Sequence, residues 1–97
     1  MKDNSTKANI HIRVWGRVQG VGFRAFVAQN AKELNLTGWV RNVGRDQVET
    51  RAEGTRKALD LFLEKVRAGS SVSNVKECEF DWGEFGGEYK KFKVRWF

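Results

Sequence analysis

Proline is missing altogether from this 97-residue sequence, and cysteine and histidine occur once each. Without proline, no loop gains the ring that restricts an unfolded chain. The lone Cys78 excludes an internal disulfide and fits a reducing compartment. The lone His11 excludes a metal site built on a histidine cluster. No run of about 18 apolar residues is present, so no membrane-spanning helix is expected. Met1 to Asn9 is polar, with charges of both signs, and lacks the apolar stretch of a signal peptide. The expected location is cytoplasmic, with no membrane partner.

The residues that are present suit one folded domain. Seven Phe, four Trp and a 40% apolar content supply a core, and 31% charged residues supply a solvated surface. A chain of this length has no room for a second domain. The net charge of +6 serves solubility, or meets an anionic partner such as a small substrate or a nucleic acid. Charge alone does not choose between these.

Hydropathy periods give the order of elements. Residues 1–7 read as a disordered lead-in and 8–97 as the domain. Ile10, Ile12 and Val14 alternate with His11, Arg13 and Trp15, which predicts a half-buried strand. Phe23, Phe26, Val27, Asn30, Ala31 and Leu34 follow helical spacing, predicting a helix from about Gly22 to Leu34. Leu36 to Val43 and Gln47 to Glu53 read as strands joined by a hairpin at Gly44-Arg45-Asp46. A second helix follows, with Thr55 as its N-cap, Leu59, Phe62, Leu63 and Val66 as its apolar stripe, and Gly69 as its stop. Val75 to Trp82 and Tyr89 to Phe97 read as two further strands. The expected fold is α+β: a ferredoxin-like two-layer sandwich, with an antiparallel sheet of about five strands and two helices on one face.

The segment Gly16-Arg17-Val18-Gln19-Gly20-Val21-Gly22-Phe23-Arg24 joins a strand end to a helix start. Its glycines let the backbone adopt positive φ, so that successive N–H groups form an anion nest. The helix start adds unsatisfied N–H donors and the positive end of a dipole. Arg24, in the first turn, offers a planar fork of donors to phosphate oxygens. A tight structural turn followed by a surface arginine is the competing reading. Gly20 to Ala25 also satisfies the dinucleotide pattern G-x-G-x-x-A. A chain of this length with a hairpin, however, cannot hold the doubly wound sheet that pattern requires. The mononucleotide P-loop is excluded as well, because no Gly-Lys-Ser/Thr follows.

Taken together, the nine-residue loop, Gly38-Trp39-Val40-Arg41-Asn42 and Glu53-Gly54 resemble the acylphosphatase family over about Ile10 to Phe97. The resemblance implies the same fold and the hydrolysis of small-molecule acyl phosphates to a carboxylate and inorganic phosphate. It implies no metal and no cofactor. By position, it makes Arg24 the catalytic arginine and gives the phosphate cradle to the backbone of Arg17, Val18, Gln19, Gly20, Val21 and Gly22. It makes Asn42 the residue that orients the attacking water, although an asparagine before a glycine turn is also ordinary turn chemistry. Phosphate or sulfate should occupy the same cradle, and a monomer is expected. The sequence departs from the family pattern after the second helix, where Ser70-Ser71 follows Gly69 in place of a proline.

Two other classes stay open. An RNA-binding module would share the sheet architecture and the basic charge. Its hallmark aromatic pattern is imitated only by Gly22 to Val27, which falls on a predicted helix, and Gln47 to Glu53 has no aromatic. No nucleic acid is therefore expected. A regulatory domain that binds an anion without turnover is the third class. His11 is assigned to the open sheet face and Cys78 to packing, while Arg41 or Arg45 is a candidate for steering anions.

Overall fold

Two apolar periodicities, one of strands and one of helices, close over a common core in the computed structural model, which describes residues 6–96. The elements are β1 (Lys7–Arg17), α1 (Phe23–Glu33), β2 (Thr37–Val43), β3 (Gln47–Thr55), α2 (Arg56–Ala68), β4 (Asn74–Glu84) and β5 (Phe92–Val94). Most of the lead-in, residues 1–5, and Phe97 lie outside the described residues. Lys7, assigned to the lead-in, already pairs with Thr55 as the first residue of β1, and the Thr6 carbonyl accepts from the Arg56 amide at 2.8 Å.

The sheet order is β4-β1-β3-β2-β5. Ile10, Ile12, Val14, Val40, Val48, Ala52 and Phe92 turn one face of it into a single buried cluster with both helices. The predicted stripe of α2 is the buried one: Leu59, Phe62, Leu63 and Val66. Sealing a side chain such as Phe62 away from water stabilises the fold by roughly 1.5–3 kcal/mol. In α1 the buried residues are Phe23, Val27, Ala28 and Ala31, so Ala28 replaces the half-buried Phe26 and Asn30 of the predicted stripe.

The capping chemistry matches the sequence. Thr55 Oγ1 accepts from the Ala58 amide at 3.2 Å, and Gly69, at φ 76°, follows the last turn of α2. Beyond Gly69, where proline would stiffen the chain, hydroxyl bonds take over. The Ser70 amide donates to Ser73 Oγ at 2.8 Å, and Ser73 Oγ donates to the Ser70 carbonyl at 3.0 Å. This is a side-chain turn that orders the loop without a ring.

Two expectations for the last strand are corrected. The strand is three residues long, not the predicted nine, and it lies parallel to β2 in an otherwise antiparallel sheet. The reason is topological. β4 occupies one edge of the sheet, and the chain must cross the sheet's end to reach the other edge. It re-enters running opposite to β4, which is the direction of β2. The crossing is anchored by Glu53, whose carboxylate accepts from the Gly86 and Gly87 amides at 2.8 and 3.0 Å. β1, β2 and β5 consequently point the same way, and their carboxyl ends meet where α1 begins.

Candidate active site

The end of β1 is bent on purpose. Its pairing with β4 shifts register between Trp15 and Gly16, where Gly16 has φ 132°. A Cβ there would strike the Asn74 carbonyl and the Lys76 amide, so only glycine allows the approach. After this bulge the chain stays paired with β4 through Arg17 and then enters the loop to α1.

Within the loop, Gly20 and Gly22 both have φ 72°, the left-handed conformation that a nest of N–H groups requires. A Cβ at either would meet nothing within 4 Å, so steric crowding is not what selects glycine there. Gly22 is the N-cap of α1, and no side chain caps the helix. Among the described residues, the amides of Gln19, Gly20, Val21 and Gly22 reach no backbone acceptor outside the helices and strands. These unspent donors and the helix dipole form one electropositive concavity.

A cavity of about 290 Å³ opens on this loop. The cradle residues Val18, Gln19, Gly20 and Gly22 line it, together with Arg24 and Asn42. Phe23, Ala25, Val94 and Trp96 complete the wall. The structure thus brings six of the eight sequence-predicted site residues to one cavity. Arg17 and Val21 were assigned by their backbone alone, and their side chains lie elsewhere: Arg17 lines a shallow depression with Trp15 and Asp46, and Val21 packs against the core. Among the described residues no carboxylate lines the cavity, so an anion meets no like side-chain charge from them.

Asn42 lies on β2 with the parity of Val40, which places it on the helix side of the sheet. Its Oδ1 is buried and has no hydrogen-bond partner among the described residues. An unpaired buried acceptor is costly, by about 1–3 kcal/mol, so Oδ1 is available to a donor such as a water in the cavity. Gln19 does more than lend its backbone. Its Nε2 donates to the carbonyls of Val43, Gly44 and Gln47 at 3.3, 3.2 and 2.8 Å, tying the loop to the β2–β3 turn. Those bonds fix the cradle relative to Asn42, one residue before Val43.

Arg24 is held from the chain's other end. Its Nη1 donates to the Arg95 carbonyl at 3.2 Å, and its Cζ lies 4.1 Å from the centroid of the Trp96 ring. The carbonyl and the ring orient the planar guanidinium and leave further N–H donors for a ligand. Sequence reasoning missed both contacts because it extended the last strand straight to Phe97. A strand that stops at Val94 lets Arg95 and Trp96 turn towards α1.

This geometry has named counterparts. The family model "Acylphosphatase" matches residues 10–94. The chain belongs to the acylphosphatase family. An acylphosphatase from Salinibacter ruber is 38% identical over 93 residues, covering 96% of this chain and 98% of that one. The crystal structure of acylphosphatase from Bacillus subtilis superposes with a TM-score of 0.86 at 39% identity, covering 91% of this chain and 98% of that chain. An acylphosphatase from Coxiella burnetii gives 0.87 at 34% identity, over 98% and 100% of the two chains.

Elsewhere the candidates weighed from sequence have structural roles. His11 Nε2 contacts the Glu49 carboxylate at 2.5 Å on the open face, and Arg41 pairs with the same group at 2.7 Å. Burial pushes the Glu49 carboxyl up, but hydrogen bonds from His11 and Arg41 outweigh it and hold it below the ordinary range. Burial pushes the Cys78 thiol up despite the nearby Arg67, which makes it a poor nucleophile. Among the described residues no three metal-binding side chains cluster, and no helix is long and apolar enough to cross a membrane.

Proposed function

We propose that this acylphosphatase holds the phosphoryl group of an acyl phosphate on the Val18–Gly22 cradle and Arg24, while Asn42 presents the attacking water. The unpartnered Asn42 Oδ1 carries the reading, because it supplies a buried acceptor at the cavity wall beside the anion nest. A water donating to Oδ1 has its lone pair directed at the cradle. Attack on phosphorus breaks the bond to the acyl oxygen, and the carboxylate departs with the bonding pair. The water's two protons end on the inorganic phosphate. Since the leaving group is already activated, the protein's task is positioning and charge stabilisation. No protein base is required, in keeping with a wall whose described residues include no carboxylate.

The test is phosphate release from acetyl phosphate by wild type, Arg24→Ala and Asn42→Ala, with and without chelator. Each substitution is expected to lower kcat/KM by about 10²–10³-fold, the usual cost of one transition-state donor or positioning group. Chelator should have no effect, and phosphate and sulfate should inhibit competitively. A folded Arg24→Ala protein with full activity would sink the mechanism. The reading includes a monomeric, cytoplasmic enzyme, in which the lone, half-buried Cys78 can form no internal disulfide. A molecular mass near 11.2 kDa in solution checks the monomer.

A further inference from the structure

We infer that Trp96 is the specificity-determining wall for the acyl group, and that the site favours acyl phosphates with flat apolar acyl groups, aromatic ones foremost. The inference rests on the proposed function. It starts from a surplus in the cavity: phosphoryl recognition uses the cradle amides, Arg24 and Asn42, yet Val18, Phe23, Ala25, Val94 and Trp96 also line it. Val18 and Phe23 are almost fully buried and form its floor, whereas Trp96 is 77% exposed. Among the described residues no other exposed large apolar side chain exceeds 57%. Leaving so large a ring in water is unfavourable unless something else covers it.

Connectivity of the substrate says what covers it. The acyl chain begins only three bonds from phosphorus, so an acyl group whose phosphoryl oxygens sit on Arg24 must lie close to Arg24. The Arg24 guanidinium is itself 4.1 Å from the Trp96 ring centroid. The acyl group therefore falls beside the indole. Only one ring face is engaged by the cation, and the rest presents apolar surface. An aromatic acyl group gains an offset ring contact there, whereas a carbamoyl group brings polar N–H groups against an apolar ring face that strips water from them. A cavity of about 290 Å³ is at the small end for organic ligands, enough for a phosphate and one ring.

Trp96 has two effects that kinetics separates. Through Arg24 it acts on every substrate alike; as a wall it acts only on the acyl group. The experiment measures kcat/KM for benzoyl, acetyl and carbamoyl phosphate with wild type, Trp96→Ala and Trp96→Phe. Ratios between variants cancel the intrinsic reactivity of each substrate. The benzoyl-to-carbamoyl ratio is expected to fall roughly tenfold in Trp96→Ala and to recover in Trp96→Phe, in line with discrimination by apolar contact. Equal losses for all three substrates would overturn the inference while leaving the proposed function intact. Absence of any acyl phosphate hydrolysis by wild type would overturn both.

Discussion

Gln19 shows how much one amide side chain is asked to do at this site. Its Nε2 serves three carbonyls, those of Val43, Gly44 and Gln47, at the place where β2 gives way to β3. The loop and the strand bearing Asn42 are otherwise separated by β3 in the sheet order. Together with the Gly16 amide, which donates to the Asp46 carbonyl at 3.0 Å, this donor group sets the spacing between the proposed phosphoryl cradle and Asn42. Gln19→Leu keeps the bulk and removes the donor. It is expected to lower kcat about tenfold, because a misplacement of a fraction of an ångström is enough to spoil an in-line attack. The affinity for inorganic phosphate should change much less, since the cradle amides remain. Unchanged kcat in a folded Gln19→Leu protein would show that the turn holds its place without this tie. Arg24 has no such internal support, and its orientation comes from Arg95, 71 positions away in sequence, and from Trp96 beside it.

At the scale of elements, the crossing from β4 to β5 hangs on one buried carboxylate. Glu53 is 3% exposed and accepts from Asn9 Nδ2 at 2.9 Å as well as from the Gly86 and Gly87 amides. Burial, the largest single effect, pushes its carboxyl up. The three hydrogen bonds and the charge of Arg51 together outweigh it and hold the group below its ordinary value. A lowered folded pKa means that the stabilisation is complete above the unfolded value, about 4.3, and is lost as pH falls through the folded one. Glu53→Gln should therefore be less stable than wild type at pH 7, by about 1–3 kcal/mol. The gap should narrow as pH is lowered towards 3, and urea midpoints across that range measure it. Glu49 titrates in both proteins and cancels from the difference. A gap independent of pH would mean that ionisation of Glu53 does not anchor the crossing.

The same crossing marks where sequence reading stopped. Helices, hairpin and caps were legible because each is written locally: Leu59, Phe62, Leu63 and Val66 at helical spacing, Thr55 before a helix, Gly44 in a turn. The glycine-rich loop from the end of β1 to the start of α1 was legible for the same reason. The direction and length of β5 were not, because they follow from which edge of the sheet remains free once β4 has paired with β1. Tyr89 to Phe97 carries an alternation of its own, but only Phe92 to Val94 finds a partner strand. The contacts of Arg95 and Trp96 with Arg24 were hidden with it, since they exist only if the chain turns away after the Arg95 amide has made its bond to the Val40 carbonyl of β2.

Across the whole molecule, charge is sorted by edge. β4 carries Glu77, Glu79, Asp81 and Glu84 against Lys76, whereas the segment leading through β5 carries Lys90, Lys91, Lys93 and Arg95 against Glu88. The basic edge is the one that ends at the cavity, where the Arg95 carbonyl touches Arg24. Lys93 stands two residues upstream, about 7 Å along the strand, and Lys91 about twice as far. At 0.01 M salt the screening length is about 30 Å, so all of these cations act on an approaching acyl phosphate dianion. At 0.15 M it is about 8 Å, and the more distant ones drop out. kcat/KM is therefore expected to fall several-fold between these salt concentrations, while kcat stays nearly constant because the bound substrate is close to Arg24. Replacing Lys90, Lys91 and Lys93 together by Gln should lower kcat/KM at low salt and flatten its dependence on salt, with kcat unchanged. The three side chains are exposed, so the fold should tolerate the change. An equally steep salt dependence in the triple variant would assign the attraction to Arg24 and the cradle alone, and would leave the lysines the separate task of keeping a short edge strand from pairing with other chains.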